Sequence, residues 1–565
     1  MKKFLFKENI KLFIASHLIF SLFLILFFIK TFNTFKDFEP RFDQIRHIAW
    51  IIELHNADHL INLNKIFNLE KGHNGFLFQL FRMSAEPGGY HAYYFQMFSV
   101  LVNYIAYLFY NGDVISLYNF TSVFFSTLSI LISYLIGIYL LKIQSIKYSK
   151  LLFQIVFILI SFSYYKFYFS PLGHHNISIF FYLLIIYLIF LIIDADIKYK
   201  YFYIGLCFSF GIFFHLVLTL FLLPAIFVYI LIENKKSNLK NLLQFLITIL
   251  PFFLPLIFLL YFNLNYGSGY DFDLMLGEKT TNFNLLYNRI KNWLNYTIYL
   301  NFLLLLFFLY GFFYYIIKRE NFKNNKKILF FYIIVLVSFL LNTFTNIIQV
   351  SYLRNSIYLH HVFIIITIFF FFKKYNSIKS LYKLIIFLIL LANASFNLVI
   401  IQNPLILKKI DNFFFDYYFK DQGVIKNSLN EIQNIINKEE KLKIVFYNQL
   451  SSDYFQVYLN DIYNKHYHGS RHIVDLSFIV KNLNTLNKSK IDNYTVIKGK
   501  IFFVGIVDDP KIFQEDFDVL KNNKYYKFNC LLNKNIIYEN RFLPINLQNI
   551  VLPNNLKIYL MKADC

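Results

Sequence analysis

The stretch Tyr90–Tyr110, YHAYYFQMFSVLVNYIAYLFY, decides how this chain is threaded. If it crosses a membrane, every later segment inverts. The loops 142–150, 194–200, 233–241, 318–327 and 373–383 would then lie outside, with 17 Lys and Arg among them. If it does not cross, those 17 are cytoplasmic, and the short outer loops 169–176, 214–223 and 346–355 keep one basic residue, Arg354. Positive charge collects in cytoplasmic loops at the ends of spans. The second threading is therefore expected, with 90–110 lying along or dipping into the membrane surface.

The rest of the chain agrees with a membrane setting. Of 565 residues, 57% are hydrophobic and the mean hydropathy is +0.48, against roughly 45–50% apolar residues in soluble domains. The excess lies in runs long enough to cross a hydrocarbon core of about 30 Å. Leu12–Ile29 follows a basic N-terminus, is longer than most signal-peptide cores and precedes no small-residue cleavage site, so it reads as an uncleaved first span. Further spans are expected at 115–141, 151–168, 177–193, 201–214, 219–232, 242–263, 296–317, 328–345, 356–372 and 384–400. The pair within 201–232 is short, with a break expected near His215 and Pro224; short paired helices often line a cavity.

The expected fold class is thus membrane all-α. It has about eleven transmembrane helices, interfacial helices in the first outer loop and a C-terminal soluble α/β domain. Residues 1–400 form the polytopic domain and 401–565 the outer domain. In that tail KIVFYNQL and KIFFVGIV are strand-like, and Asp421–Lys438 is helical in pattern. An odd number of spans places the N-terminus in the cytoplasm and the tail outside, as in a multi-pass protein of a bacterial inner membrane with a periplasmic tail. The net charge of +22 is spread over loop edges, which excludes the basic groove of a nucleic-acid binder. Cys207 lies in an apolar run, whereas Cys530 and Cys565 fall in the tail, where an oxidising compartment would allow them to pair.

Polar residues of the outer segments are the candidates for chemistry. In EPRFDQIRHIAW, Pro40 suits a first helical turn and Glu39 the positive end of that helix. Phe42, Ile45, Ile48, Ala49 and Ile52 share one stripe; Asp43, Arg46, His47 and Trp50 share another. An amphipathic helix on the membrane surface results, with His47 one turn from the Asp43 carboxylate. A purely interfacial helix with a solvated polar face has the same pattern. His91 heads an aromatic helix after the EPGG turn. SPLGHHNIS sets His174, His175 and Asn176 between two spans. Adjacent histidines diverge and no outer acid is near in sequence, so substrate hydrogen bonding or capping by Asn176 is favoured over a metal. The Asp271–Asp273 pair reads as a solvated loop, and no divalent metal or other cofactor is assigned. Lys166 lies near the outer end of its span, and Arg354 stands above His360 and His361. A forked guanidinium matches phosphate, although it also snorkels to lipid headgroups.

These residues carry a resemblance. The layout resembles the polytopic glycosyltransferases of the GT-C fold and is similar to protein O-mannosyltransferases and lipid A aminoarabinose transferases. In those families an acid follows the first span, in an outer loop with two surface helices. Asp43 of PRFDQIRHIAW takes the acid's place and EPGGYHAYYFQ that of the second helix. The hairpin YFYIGLCFSFGIFFHLVLTLFLLPAIFVYILIENKK is also similar. The chain departs from the pattern at Gln44, where many members carry a second acid, and at Gly88–His91, in place of Pro-Pro-Leu-Tyr. SPLGHHN lacks the metal-binding acids of the oligosaccharyltransferase branch. The resemblance implies transfer of a sugar from a polyprenyl-phosphate donor to a glycan, lipid or protein acceptor. Asp43 would be the general base, Arg354 and Lys166 phosphate partners, and His47, His91 and His174 would line the site. The rivals are a transporter or flippase of lipid-linked glycans, and a glycan polymerase or ligase.

Overall fold

A computed structural model describes residues 15–40, 43–56, 97–110, 112–252 (apart from 196, 213, 215 and 234–238), 286–294 (apart from 292), 302–317, 326–344, 352–375, 377–419, 423–438, 443–446, 449–459, 500–507, 531–541 and 557–564. His91, His215, the Asp271–Asp273 pair, Cys530 and Cys565 lie outside these. In chain order the helices are α1 (Leu18–Phe35), α2 (Asp43–Asn56), α3 (Met97–Leu108), α4 (Val114–Ile143), α5 (Lys150–Ser161), α6 (Tyr164–Phe169), α7 (His174–Asp194), α8 (Lys200–Ile212) and α9 (Leu216–Glu233). There follow α10 (Phe302–Ile317), α11 (Lys326–Phe344), α12 (Tyr352–Tyr375), α13 (Ser380–Gln402), α14 (Pro404–Ile410), α15 (Asn412–Phe419) and α16 (Val424–Ile436). The tail adds β1 (Lys443–Phe446), α17 (Gln449–Tyr458), β2 (Lys500–Val507), β3 (Leu531–Arg541) and β4 (Lys557–Asp564). The chain divides into two compact units: Met1–Asp37 with Phe81–Lys409, and Phe38–Leu80 with Ile410–Cys565.

The first unit is helical. Among the described residues, five of its helices are long and apolar enough to cross a membrane: α1, α4, α7, α12 and α13. Other expected spans appear as shorter apolar helices, among them α5, Phe221–Ile232, Leu239–Phe252 and Leu304–Phe313. Helices α4, α7 and α12 are mostly buried. By contrast, α1 turns Leu22, Ile25, Leu26 and Ile29 outward, and α13 turns out Leu381, Leu384, Ile385 and Leu388. Apolar faces of this extent suit lipid rather than water. Of the break expected near His215 and Pro224, the chain shows an interruption between Ile212 and Leu216, whereas α9 continues through Pro224. The missing N–H and ring clash of an internal proline are tolerated in apolar helices whose neighbours hold them in place.

Side-chain pairs fix the helix directions. At one face the start of α1 meets α4 and α5: His17 Nδ1 lies 2.6 Å from Tyr134 Oη, and Phe20 N donates to Gln154 Oε1 at 3.2 Å. There Phe153 packs on Phe372 near the end of α12, with ring centroids 5.4 Å apart. Lys327, at the start of α11, sits 2.5 Å from Asp194 at the end of α7 and 3.1 Å from the Tyr139 hydroxyl. At the opposite face Asn119 of α4 donates to the Phe35 and Lys36 carbonyls at 3.1 and 3.3 Å. Tyr168 donates to the Ile401 carbonyl at 3.3 Å, so the end of α13 lies here too. Since α1 ends where α4 begins, the segment between them makes no net crossing of the unit. Helix α3 is described from Met97 to Leu108. It lodges against the starts of α4 and α7 through a Thr121–Asn103 hydrogen bond and a 3.4 Å Ser99–Ser178 contact.

The second unit joins the segment after α1 to the tail. Its sheet has the order β1-β2-β4-β3, with β1 parallel to β2 and the other pairs antiparallel. Ile45 of α2 is fully buried in a core with Ile425, Leu429 and Ile432 of α16, Tyr454 and Phe455 of α17, Val504 of β2 and Leu560 of β4. Arg46 Nε bonds Asp453 Oδ2 at 3.2 Å. Glu39 caps α16: its carboxylate accepts from Gly423 N at 3.0 Å and Lys426 N at 2.9 Å. Gly423, at φ +79°, has no side chain with which to cap that helix itself. The sequence reading of 38–56 is corrected on two points. Helix α2 is an interior element and not a surface helix with a solvated stripe, because His47 and Trp50, on its polar stripe, are each only 1% exposed. Glu39 serves the positive end of α16, not that of α2.

Candidate functional site

The polar centre of the helical unit is built around a broken helix. Residues 150–169 form two helices, α5 and α6, because Phe162 (ψ 110°) and Ser163 (φ −142°, ψ 137°) are extended. Such a break frees backbone groups that an apolar medium does not solvate. Asn397 of α13 supplies one replacement partner, its Oδ1 accepting from Tyr164 N at 3.0 Å. Helix α6 then closes in a turn at Ser170–Gly173. Asn176 Nδ2 donates back to the Phe169 and Ser170 carbonyls at 3.1 and 2.9 Å, and Ser122 Oγ donates to the Ser170 carbonyl at 2.7 Å. Asn176 thus ties the turn together by its own side chain rather than capping α7.

Helix α6 carries Lys166 inward. Its Nζ lies 3.1 Å from His361 Nε2. His361 Nδ1 lies 2.8 Å from Ser133 Oγ, and the Ser133 hydroxyl donates to the Ser129 carbonyl at 2.9 Å. One hydroxyl proton serves one acceptor. With it on Ser129, His361 donates from Nδ1 to Ser133 and presents Nε2 as the acceptor for Lys166. Lys166 is 1% exposed, and Ser133, His360 and His361 are wholly buried. His360, with its ring 5.9 Å from that of His361, makes no hydrogen bond among the described residues through either nitrogen. Lys166 makes no ion pair among them. His361 is the tenth residue of α12, about 14 Å along it, so the centre lies well inside the unit.

Above it runs a stripe of hydroxyls on α4. Ser122, Ser126, Ser129 and Ser133 recur at helical spacing and are all buried. Ser126 Oγ lies 2.7 Å from Ser170 Oγ, which donates to the Lys166 carbonyl at 2.7 Å. The stripe joins the Ser170–Gly173 turn to the Lys166–His361 pair.

The residues singled out from sequence fall into separate places. Asp43 opens α2 and His47 lies one turn on, both in the second unit; the His47 ring packs against Trp50 at 5.3 Å. Lys166 belongs to the helical unit and points into it. His174 opens α7 and Arg354 lies in the first turn of α12. No family model, characterised protein or solved structure matches this chain. Sequence reasoning missed Ser133 and left His361 as a residue merely deeper than Arg354. The findable signal was the serine spacing of four, three and four along an otherwise apolar helix. Among the described residues no three His, Cys, Asp or Glu side chains gather as a metal set.

Proposed function

We propose that the chain is a glycosyltransferase of GT-C type, with about eleven spans, in a bacterial inner membrane. Its lysine-rich face is cytoplasmic, and residues 401–565 form a periplasmic α/β domain. The observation that carries the reading is the shared face of the end of α1, the start of α4 and the end of α13. The chain leaves the helical unit there for the segment that begins with Asp43, and leaves it there again for its tail. The opposite face holds Lys142, Lys147, Lys198, Lys326 and Lys374, in keeping with cytoplasmic loops.

In this reading a polyprenyl-phosphate sugar donor lies with its lipid among the helices. An acceptor hydroxyl or amine attacks the anomeric carbon as the carbon–oxygen bond to phosphate breaks. The bonding electrons leave with the phosphate, and Asp43 takes the acceptor's proton as general base. Arg354 stabilises the departing phosphate, and His47, His91 and His174 line the site. The acceptor is a glycan, a lipid or a protein.

The test is the effect of Asp43→Asn and Asp43→Ala on the host's surface glycans and lipid-linked sugars, with membrane levels of the protein matched. Loss of a sugar from the glycan with build-up of its lipid-linked donor supports a catalytic base. Unchanged glycans and donor would end the proposal. One observation favours the rival transporter reading: a lysine and two histidines beside a broken helix inside the bundle, where transporters place their sites.

A further inference from the structure

We propose that Lys166, His360 and His361 form a binding site for a phosphate group inside the helical unit, opened by movement of α6 against α12. Three observations converge. Lys166 is a buried lysine whose Nζ meets an imidazole nitrogen, with no carboxylate paired to it among the described residues. A buried cation of this kind is costly unless an anion completes it. His360 stands beside it, wholly buried, with both ring nitrogens unpartnered among the described residues. Buried polar atoms are almost always satisfied, so each exception calls for a missing partner. The third is the carrier of the lysine. Helix α6 has six residues, bounded by the extended Phe162–Ser163 pair and by the Ser170–Gly173 turn. Non-helical backbone at membrane depth is found where it is buried in protein or lines a cavity, and here it carries the lysine.

The roles divide by chemistry. Lys166 supplies charge and its remaining N–H donors. His360 supplies one ring N–H. His361 is a positioning residue: locked by Ser133 in the Nδ1–H tautomer, it holds the ammonium by its Nε2 lone pair without competing for the anion. The ligand is a phosphate monoester or diester of a lipid, or free phosphate. The site serves a transporter as well as a transferase, so it goes beyond the function proposed above.

The experiment uses the full chain, purified in detergent, and equilibrium binding of a labelled short-chain polyprenyl phosphate with inorganic phosphate as competitor. The wild type binds, and Lys166→Met weakens binding about tenfold or more, as expected for loss of a charge-assisted hydrogen bond. His360→Phe, which keeps ring volume without donors, weakens it about threefold or more and decides the matter if Lys166→Met fails to accumulate. Competition by inorganic phosphate at equal concentration assigns a free-phosphate site; its absence assigns a lipid phosphate. No binding by the wild type, or wild-type affinity in a folded variant, overturns the proposal. Binding needs no sugar transfer. A chain that binds through Lys166 while its Asp43 variants leave glycans unchanged overturns the transferase reading alone. Sugar transfer with Lys166-independent phosphate binding overturns this one alone.

Discussion

Replacing Glu39 with alanine tests whether the segment after the first span is a structural part of the tail's unit. Glu39 is 6% exposed and accepts two backbone hydrogen bonds, at 3.0 and 2.9 Å, at the start of α16. A hydrogen bond to a charged acceptor contributes about 1.5–3 kcal/mol, and a lost helix cap typically costs about 1 kcal/mol. Both N–H groups are part-buried, so water recovers some of the loss and about 2–3 kcal/mol remains. For a unit of this size that is a fall in Tm of roughly 5–10 °C. Glu39→Gln keeps one acceptor oxygen but sets its amide N–H₂ toward the second donor, and should lose about half as much. The chain has two tryptophans, Trp50 in α2 and Trp293 in the helical unit. In a Trp293→Phe background, fluorescence reports the burial of Trp50 alone. Unfolding followed at Trp50 should shift with Glu39→Ala. A midpoint within about 1 °C of the parent would refute the assignment of Glu39 as the cap of α16.

Three further outcomes follow. Asp453→Ala leaves Arg46, 12% exposed in its side chain, without its carboxylate and should destabilise the second unit by about 3 kcal/mol; denaturant unfolding read at Trp50 checks it, and a loss under about 1 kcal/mol would mark the pair as dispensable. Gly173→Ala puts a Cβ at φ +51° into the space held by the Tyr118 ring and hydroxyl, so the turn that anchors α6 should strain by about 1–3 kcal/mol. Thermal unfolding in detergent should fall accordingly, while Gly423→Ala, which has open space but φ +79°, should cost about 1 kcal/mol through backbone strain alone.

Charge distribution made the two faces legible. Lys142, Lys326 and Lys374 stand in end turns of α4, α11 and α12, and Lys147 in the loop after α4; a cation at a span's end follows a rule that needs no tertiary contact. Strands β1 and β2 fall on the β-branched and aromatic runs at 443–446 and 500–507 for a similarly local reason. The break in 150–169 was not legible, because Phe162 and Ser163 sit in an aromatic run with neither Gly nor Pro to mark it; the Asn397 side chain that sustains it lies 233 residues away. Nor could periodicity settle the place of α2. Its stripe of Arg46, His47 and Trp50 suits an interface as well as an interior, and the choice depends on Asp453, 407 residues on. Lys166 reads in sequence as lying near the outer end of its span, but its direction is set by His361 and Ser133, on two other helices.

Whether the chain carries its candidate chemistry on one face, opposite its lysine-rich loops, is tested most directly by labelling single cysteines in sealed membrane vesicles. Ser145→Cys lies between α4 and α5 on the lysine-rich face, and Asp113→Cys and Asn403→Cys lie by the start of α4 and the end of α13. A membrane-impermeant maleimide should label Asp113→Cys and Asn403→Cys from one side and Ser145→Cys only from the other. Labelling of all three from the same side, or of Asp113→Cys and Asn403→Cys from opposite sides, would contradict the architecture and the function built on it.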